Sequence, residues 1–206
     1  MFKDRTHAGT LLAARLAEEI DGRSDVVILG IPRGGVIVAA QMAKELDLPL
    51  DVIVTSKIPA PWNAEYAIGA VDSEGEVTIN THSGYSMEEV MHYAQPIQDK
   101  VRARWELFRI GREPIDISGK TIVLADDGIA TGLTAFAAVD YLKRHKAGSV
   151  MLAVPVIAAD AARVIRSGIA TLVALEEPEV FYSVSQFYRQ FDQVTDDDVM
   201  LALRGA

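Results

Sequence analysis

Apolar positions along this chain follow two rhythms, helical spacing and short unbroken runs. Leu12, Leu16 and Ile20 recur at helical intervals among alanines, so residues 5–20 are expected to form an amphipathic helix. Val26 to Leu29 is a brief apolar run of the buried-strand kind, and helical spacing returns over Val36 to Leu46 after the glycine-containing stretch 30–35. A second strand is expected over 51–55. The stretch 57–63 contains Pro59 and Pro61 and reads as a loop, because proline donates no hydrogen bond to a central ladder. Residues 66–71 and 76–80 flank the turn-rich Asp72-Ser73-Glu74-Gly75, which predicts a hairpin.

Ser86 and Glu89 have capping-box spacing, so a long helix should begin there and run to 109, kinked or split at Pro96. Beyond it the pattern alternates: strand 121–126, helix 133–145, strand 149–154, helix 158–167, strand 170–175. Such alternation predicts an α/β fold with a parallel sheet, right-handed crossovers and flanking helices. A chain of 206 residues, half of them hydrophobic, can bury its core as one domain spanning 1–206. The expected parts are a core over 24–175, an arm over 80–112 and a C-terminal lobe over 176–206.

Ligands of open parallel sheets sit beyond the carboxyl ends of the strands, and three loops are expected there: 30–35, 56–63 and 126–134. The third is the most informative. An apolar strand ends in Asp126-Asp127, and the run Gly128-Ile129-Ala130-Thr131-Gly132-Leu133-Thr134 then opens a helix. Paired carboxylates accept hydrogen bonds from vicinal hydroxyls, while loop amides and a helix N-terminus favour an anion. An ordinary capped helix with solvated acids would use the same residues, but the other loops add to the chemistry. Neither the P-loop nor the Rossmann glycine spacing occurs, and a receiver domain would carry its acidic pair near its N-terminus. The first loop, Ile31-Pro32-Arg33-Gly34-Gly35, combines one guanidinium with glycines that let backbone approach a ligand, a pattern suited to pyrophosphate.

Together these two runs resemble the phosphoribosyl-pyrophosphate motif and the pyrophosphate loop of type I phosphoribosyltransferases, in the expected order. With Asp4-Arg5, Lys57-Ile58-Pro59-Ala60-Pro61 and Glu65-Tyr66-Ala67-Ile68-Gly69-Ala70-Val71, the chain resembles a bacterial branch of that family over nearly its whole length. The resemblance implies the type I fold with a small hood or arm lobe. It implies that Asp126 and Asp127 hold the ribose hydroxyls, directly or through substrate-bound Mg²⁺ and water. Residues 128–134 would cradle the 5′-phosphate, and Ile31 to Gly35 would take pyrophosphate. Lys57, after the second strand, is placed to reach the same pyrophosphate. Asp126, Asp127, Arg33 and Lys57 are therefore the expected catalytic set, with residues 57–66 or the arm 80–112 as lid.

Base contacts are expected after the last strand, at Glu176, Phe181, Tyr182 and Arg189, since aromatics there can stack on a ring and Tyr188-Arg189 resembles a pair in hypoxanthine-guanine members. Those members carry an acid immediately before Thr-Gly where this chain has Ala130, whereas adenine-specific members have alanine. The expected function is transfer of the phosphoribosyl group of phosphoribosyl pyrophosphate to a small nitrogenous acceptor. The alternatives are a non-catalytic sensor of phosphoribosyl pyrophosphate or nucleotide and, more remotely, a phosphohydrolase.

Net charge −9 argues against a sequence-independent nucleic-acid surface, which would need a basic patch. No apolar run approaches the roughly 20 residues of a membrane helix, and no signal-peptide core follows Met1, so a cytoplasmic protein is expected. The chain has no cysteine and its four histidines share no ligand spacing, which leaves Mg²⁺ carried by the substrate as the expected metal. A homodimer is compatible with these expectations.

Overall fold

The computed structural model describes residues 1–169 and 171–205, with the side chain of Glu65 left aside. Ala170, the first residue of the strand expected over 170–175, lies outside the described residues.

Five strands form a parallel sheet in the order β2-β1-β6-β7-β8: β1 Val26–Gly30, β2 Leu50–Val52, β6 Thr121–Ala125, β7 Ser149–Val156 and β8 Thr171–Glu176. The unbroken apolar runs follow from burial on both faces. Val26, Ile28, Val123, Ala125, Met151 and Ala153 belong to one core layer, which also holds residues of α1 (Arg5–Ala17) and α2 (Gly34–Leu46). Val27, Leu29, Ile122, Leu124, Leu152 and Val154 belong to the other, shared with α4 (Leu133–Arg144) and α5 (Ala159–Arg166).

A second, antiparallel sheet has the order β3-β4-β5, with β3 Ser56–Ala60, β4 Asn63–Val71 and β5 Val77–Ile79. The stretch expected to be a loop over 57–63 is thus largely strand. Its prolines are accommodated because β3 is an edge strand whose register shifts on both sides of Pro59. The hairpin turn expected at 72–75 is present, and the Asp72 carboxylate accepts from the amides of Glu74 and Glu76 at 2.9 and 3.1 Å. Arg144 near the end of α4 pairs with the buried Asp72, fastening this small sheet to the main one.

The long helix α3, Met87–Phe108, begins at the Ser86–Glu89 capping box and continues through Pro96 as one element instead of splitting. Its buried Val90, Ala94, Val101 and Phe108 share a core layer with Ile58 and Ile68, and this surrounding packing offsets the hydrogen bond lost at proline. Past β8 the chain makes a 3₁₀ turn, Val184–Phe187, and a final helix α6, Asp196–Arg204. Between them it returns to the N-terminus: Phe2 N donates to Phe187 O, Arg189 N to Phe2 O and Gln190 N to Lys3 O. Among the described residues, no helix is long and apolar enough to cross a membrane.

The end of the arm is stapled to β2. Arg109 Nη1 donates to both carboxylate oxygens of buried Asp51 at 2.6 and 2.8 Å, and Arg109 Nη2 to the Val52 carbonyl. The amides of Val52 and Ile115 also donate to Asp51. Removing one member of such a buried pair strands the other charge, so Arg109→Ala should cost about 3–5 kcal/mol of unfolding free energy in urea titration. Arg163→Ala, breaking an exposed pair with Asp160, should change it by less than about 1 kcal/mol.

Candidate functional site

Parallel pairing sets Gly30 opposite Ala125, so the loops that follow β1 and β6 start side by side. Ile31 N donates to Ala125 O at 2.9 Å and holds them there. The Pro32–Arg33 peptide is cis, and α2 begins at Gly34. A Cβ on Gly34 would lie 1.8 Å from Asp127 Oδ2, and one on Gly35 would lie 2.7 Å from both Ala125 O and Asp126 Cα. Only glycine lets the start of α2 lie directly on the acidic pair.

The two aspartates have different surroundings. Asp126 Oδ1 accepts from the Asp127 amide at 2.8 Å. Desolvation first, and then the adjacent Asp127 charge, push the Asp126 carboxyl well above the usual carboxylate range. Asp127 has a counter-ion: Arg5 Nε donates to Asp127 Oδ2 at 2.7 Å, and both side chains are only slightly exposed. Arg5 also donates from Nη1 to Asp192 O at 2.9 Å and lies 3.8 Å above the centre of the Phe191 ring. Tyr188 Oη donates to the Asp127 carbonyl at 2.6 Å. Burial, then the Asp127 charge, raises the Tyr188 phenol, so it stays a donor at ordinary pH.

The loop 128–134 is anchored on β7, with Ile129 N donating to Val156 O and Ala158 N to Ile129 O, each at 2.9 Å. Gly132 sits at φ 85°, a left-handed conformation that favours glycine, and opens α4. A cavity of about 190 Å³ is lined by residues 128–134, Lys57 and Val184. Its amides, hydroxyls and helix N-terminus suit an anion. A larger cavity of about 500 Å³ is lined by Arg5, Arg33, Gly34, Asp127, Val184 and residues 191–194. Val184 lines both cavities. Among the described residues Arg33 has no ion-pair partner.

The structure therefore brings together Arg33, Gly34, Asp127, Lys57 and residues 128–134. Ile31 is buried and anchors its loop, while Gly35 packs on Asp126; neither residue lines these two cavities, nor does Asp126 itself. The four expected base contacts lie elsewhere. Glu176 faces the terminal amine of Met1 at 3.4 Å, Phe181 packs on Phe187, Tyr182 is 87% exposed, and Arg189 is exposed with its amide on Phe2 O. The 3₁₀ turn sets Val184 over Gly128 instead, where a Cβ would lie 2.5 Å from Val184 Cγ1. Val184 and Phe191 are the apolar walls that the sequence pattern missed, along with Arg5 and Tyr188 as polar members. Arg5 and Tyr188 stand 122 and 61 positions from Asp127, so no local spacing links them to it.

No group of three or more carboxylates and histidines among the described residues is placed to hold a metal. Asp127 is shared with Arg5 and Asp126 is inclined to keep its proton. This donor set fits indirect contact with a metal that arrives on a phosphorylated ligand.

Residues 4–192 match the family profile of the phosphoribosyl transferase domain. Relatives in two strains of Mycobacterium tuberculosis, named provisionally as phosphoribosyl transferases, are 41% identical over 98% of this chain. The chain spans 46% of their length. The crystal structure of TT1426 from Thermus thermophilus superposes with a TM-score of 0.84 at 38% identity, covering 98% of this chain and 97% of that one. A purine phosphoribosyltransferase from Pyrococcus horikoshii shares the fold at 20% identity and TM-score 0.50, covering 93% of this chain and 92% of its own.

A carboxyl whose pKa is higher folded than unfolded weakens the fold once pH exceeds the unfolded value of about 3.9, and the penalty grows toward the raised value. Asp126→Asn keeps the acceptor for the Asp127 amide but removes this charge. Its urea midpoint should exceed the parent's at pH 7, and the gain should vanish as pH falls to about 4.

Proposed function

We propose, from the premise that this chain belongs to the phosphoribosyl transferase domain family, that it transfers the phosphoribosyl group of phosphoribosyl pyrophosphate to a small nitrogenous acceptor and releases pyrophosphate. One observation carries this reading: two anion-suited cavities share the wall residue Val184, and Asp127 lines the larger of them. The smaller would take the 5′-phosphate on the amides and hydroxyls of 128–134. The larger would take pyrophosphate against Arg33 and the Gly34 backbone, with the ribose hydroxyls facing Asp127. Mg²⁺ bound with the substrate would neutralise phosphate charge, meeting Asp126 and Asp127 through water.

The protein's part is to position and neutralise. As the bond between the anomeric carbon and pyrophosphate breaks, negative charge grows on the leaving oxygens, and fixed donors at Arg33 favour that state over the ground state. The acceptor would enter from the side of Val184 and Phe191, where the wall is apolar and partly aromatic. Ala130 has no proton to exchange with a ring nitrogen, so the usual acid-assisted 6-oxopurine route lacks its group. Water must be kept from the reacting carbon, and the β3–β4 hairpin bearing Lys57 is the element suited to close over it.

Pyrophosphate release, measured with purine, pyrimidine and non-ring amine acceptors, tests the reading. Turnover is expected with at least one acceptor and should be poor with hypoxanthine and guanine. Asp127→Asn should lower kcat/KM roughly 10- to 100-fold, the loss of one charged hydrogen bond. Tight binding of phosphoribosyl pyrophosphate without turnover of any acceptor would replace the enzyme by a sensor.

A further inference from the structure

Arg5 is the least expected member of this site, and its bonding is incomplete. A guanidinium has five N–H donors. Arg5 uses one on Asp127 and one on the Asp192 carbonyl, and its remaining donors have no partner among the described residues. Only 11% of the side chain is exposed, and that small part carries the unpaired donors, which are not sealed from the surface. Arg5 also borders the cavity that holds Arg33. A Cβ on Gly34 would lie 2.8 Å from Arg5 Nε, so the guanidinium is flush with the start of α2.

Each existing contact is replaceable. The Asp192 carbonyl belongs to an exposed residue, the Phe191 contact is a stacking face, and Asp127 is the carboxylate that ribose hydroxyls would claim. Removing Asp127 from Arg5 would leave an unpaired, mostly buried cation beside Arg33, which a multiply charged anion satisfies better than one carboxylate.

Resting on the phosphoribosyl reading of the same site, we propose that Arg5 is a pyrophosphate-binding residue held in reserve by Asp127. In the unliganded protein the two side chains neutralise each other. When ligand hydroxyls take Asp127, the guanidinium turns across Gly34 and donates to pyrophosphate alongside Arg33. Binding of the sugar and of pyrophosphate is thereby coupled, and the segment 191–194, held now by Arg5, is released as the ligand seats.

The test is calorimetry with magnesium pyrophosphate and, separately, ribose 5-phosphate, on the parent, Arg5→Gln, Arg5→Lys, Asp127→Asn and the Arg5→Gln/Asp127→Asn double variant. Thermal melts select variants that remain folded. Arg5→Gln should weaken pyrophosphate roughly 10- to 100-fold, while ribose 5-phosphate binds as well or better because its competitor for Asp127 is gone. Arg5→Lys should recover part of the pyrophosphate loss. Asp127→Asn should tighten pyrophosphate by freeing Arg5, and that gain should shrink in the double variant. Mere relief of charge repulsion would leave the gain unchanged. Equal pyrophosphate binding by parent and Arg5→Gln, or an Asp127→Asn gain of the same size without Arg5, would overturn the role of Arg5 while leaving the transferase reading in place. A parent that binds neither ligand would overturn both. If Arg5 only props Asp127, Arg5→Gln and Asp127→Asn should lose both ligands alike.

Discussion

The contact between two glycines and two aspartates governs the geometry of this site. Gly34 and Gly35 start α2 so close to the end of β6 that no side-chain atom fits between them and Asp126-Asp127. That contact exists because β1 and β6 are hydrogen-bonded neighbours with Gly30 level with Ala125, although 95 residues separate those two positions in sequence. The rest of the site is arranged around it. Arg33 is carried to the cavity by the same turn, and the loop 128–134 leaves the other side of the aspartates toward α4.

Closely spaced acids need compensation, and the fold treats the two differently. Asp126 is pressed toward the neutral form by its own desolvation and its neighbour's charge. Asp127 is paired with Arg5 at 2.7 Å, with Tyr188 bonded to its carbonyl. Arg5 and Tyr188 come from segments that are tied together by the Phe2–Phe187 and Arg189–Phe2 backbone bonds. These segments are thus part of the site's electrostatics as well as its cover. A net charge of −9 is compatible with anion binding for the same reason: Arg5, Arg33 and Lys57 set the local field at the cavities, and distant surface carboxylates are screened by salt.

The second sheet and the arm show how stability is kept away from the chemistry. The Asp51–Arg109 staple and the Asp72–Arg144 pair hold these parts by buried carboxylates outside the two cavities. The β3–β4 hairpin, with irregular register at Pro59, is also held at its turn, where Trp62 stacks on Tyr66 and donates from Nε1 to Tyr85 Oη at 3.1 Å.

Much of this architecture was legible in the chain. The apolar runs at 26–29, 122–125 and 150–154, alternating with helical patterns, pointed to a two-sided parallel sheet, and the motifs 30–35 and 126–134 carry their chemistry in consecutive residues. Local signals of that kind survive in sequence because strand burial, capping and backbone freedom act over a few neighbours. The prolines at 59 and 61 were legible as exceptions to regular pairing, but not as an edge strand, because an edge is defined by a partner's absence. The wall opposite Asp127 was not legible at all. Whether Phe181 or Phe191 meets the cavity depends on one 3₁₀ turn and on backbone pairing with Phe2. Asp4-Arg5 is part of the family resemblance but has no role at the site that the sequence shows, because 122 positions of chain separate Arg5 from Asp127. The sequence by itself determined the parallel sheet and the two loops, 30–35 and 126–134, that start side by side at its strand ends. Tertiary structure alone decided which charges neutralise each other, because Coulomb attraction and desolvation depend on distance in space and carry no trace of distance along the chain.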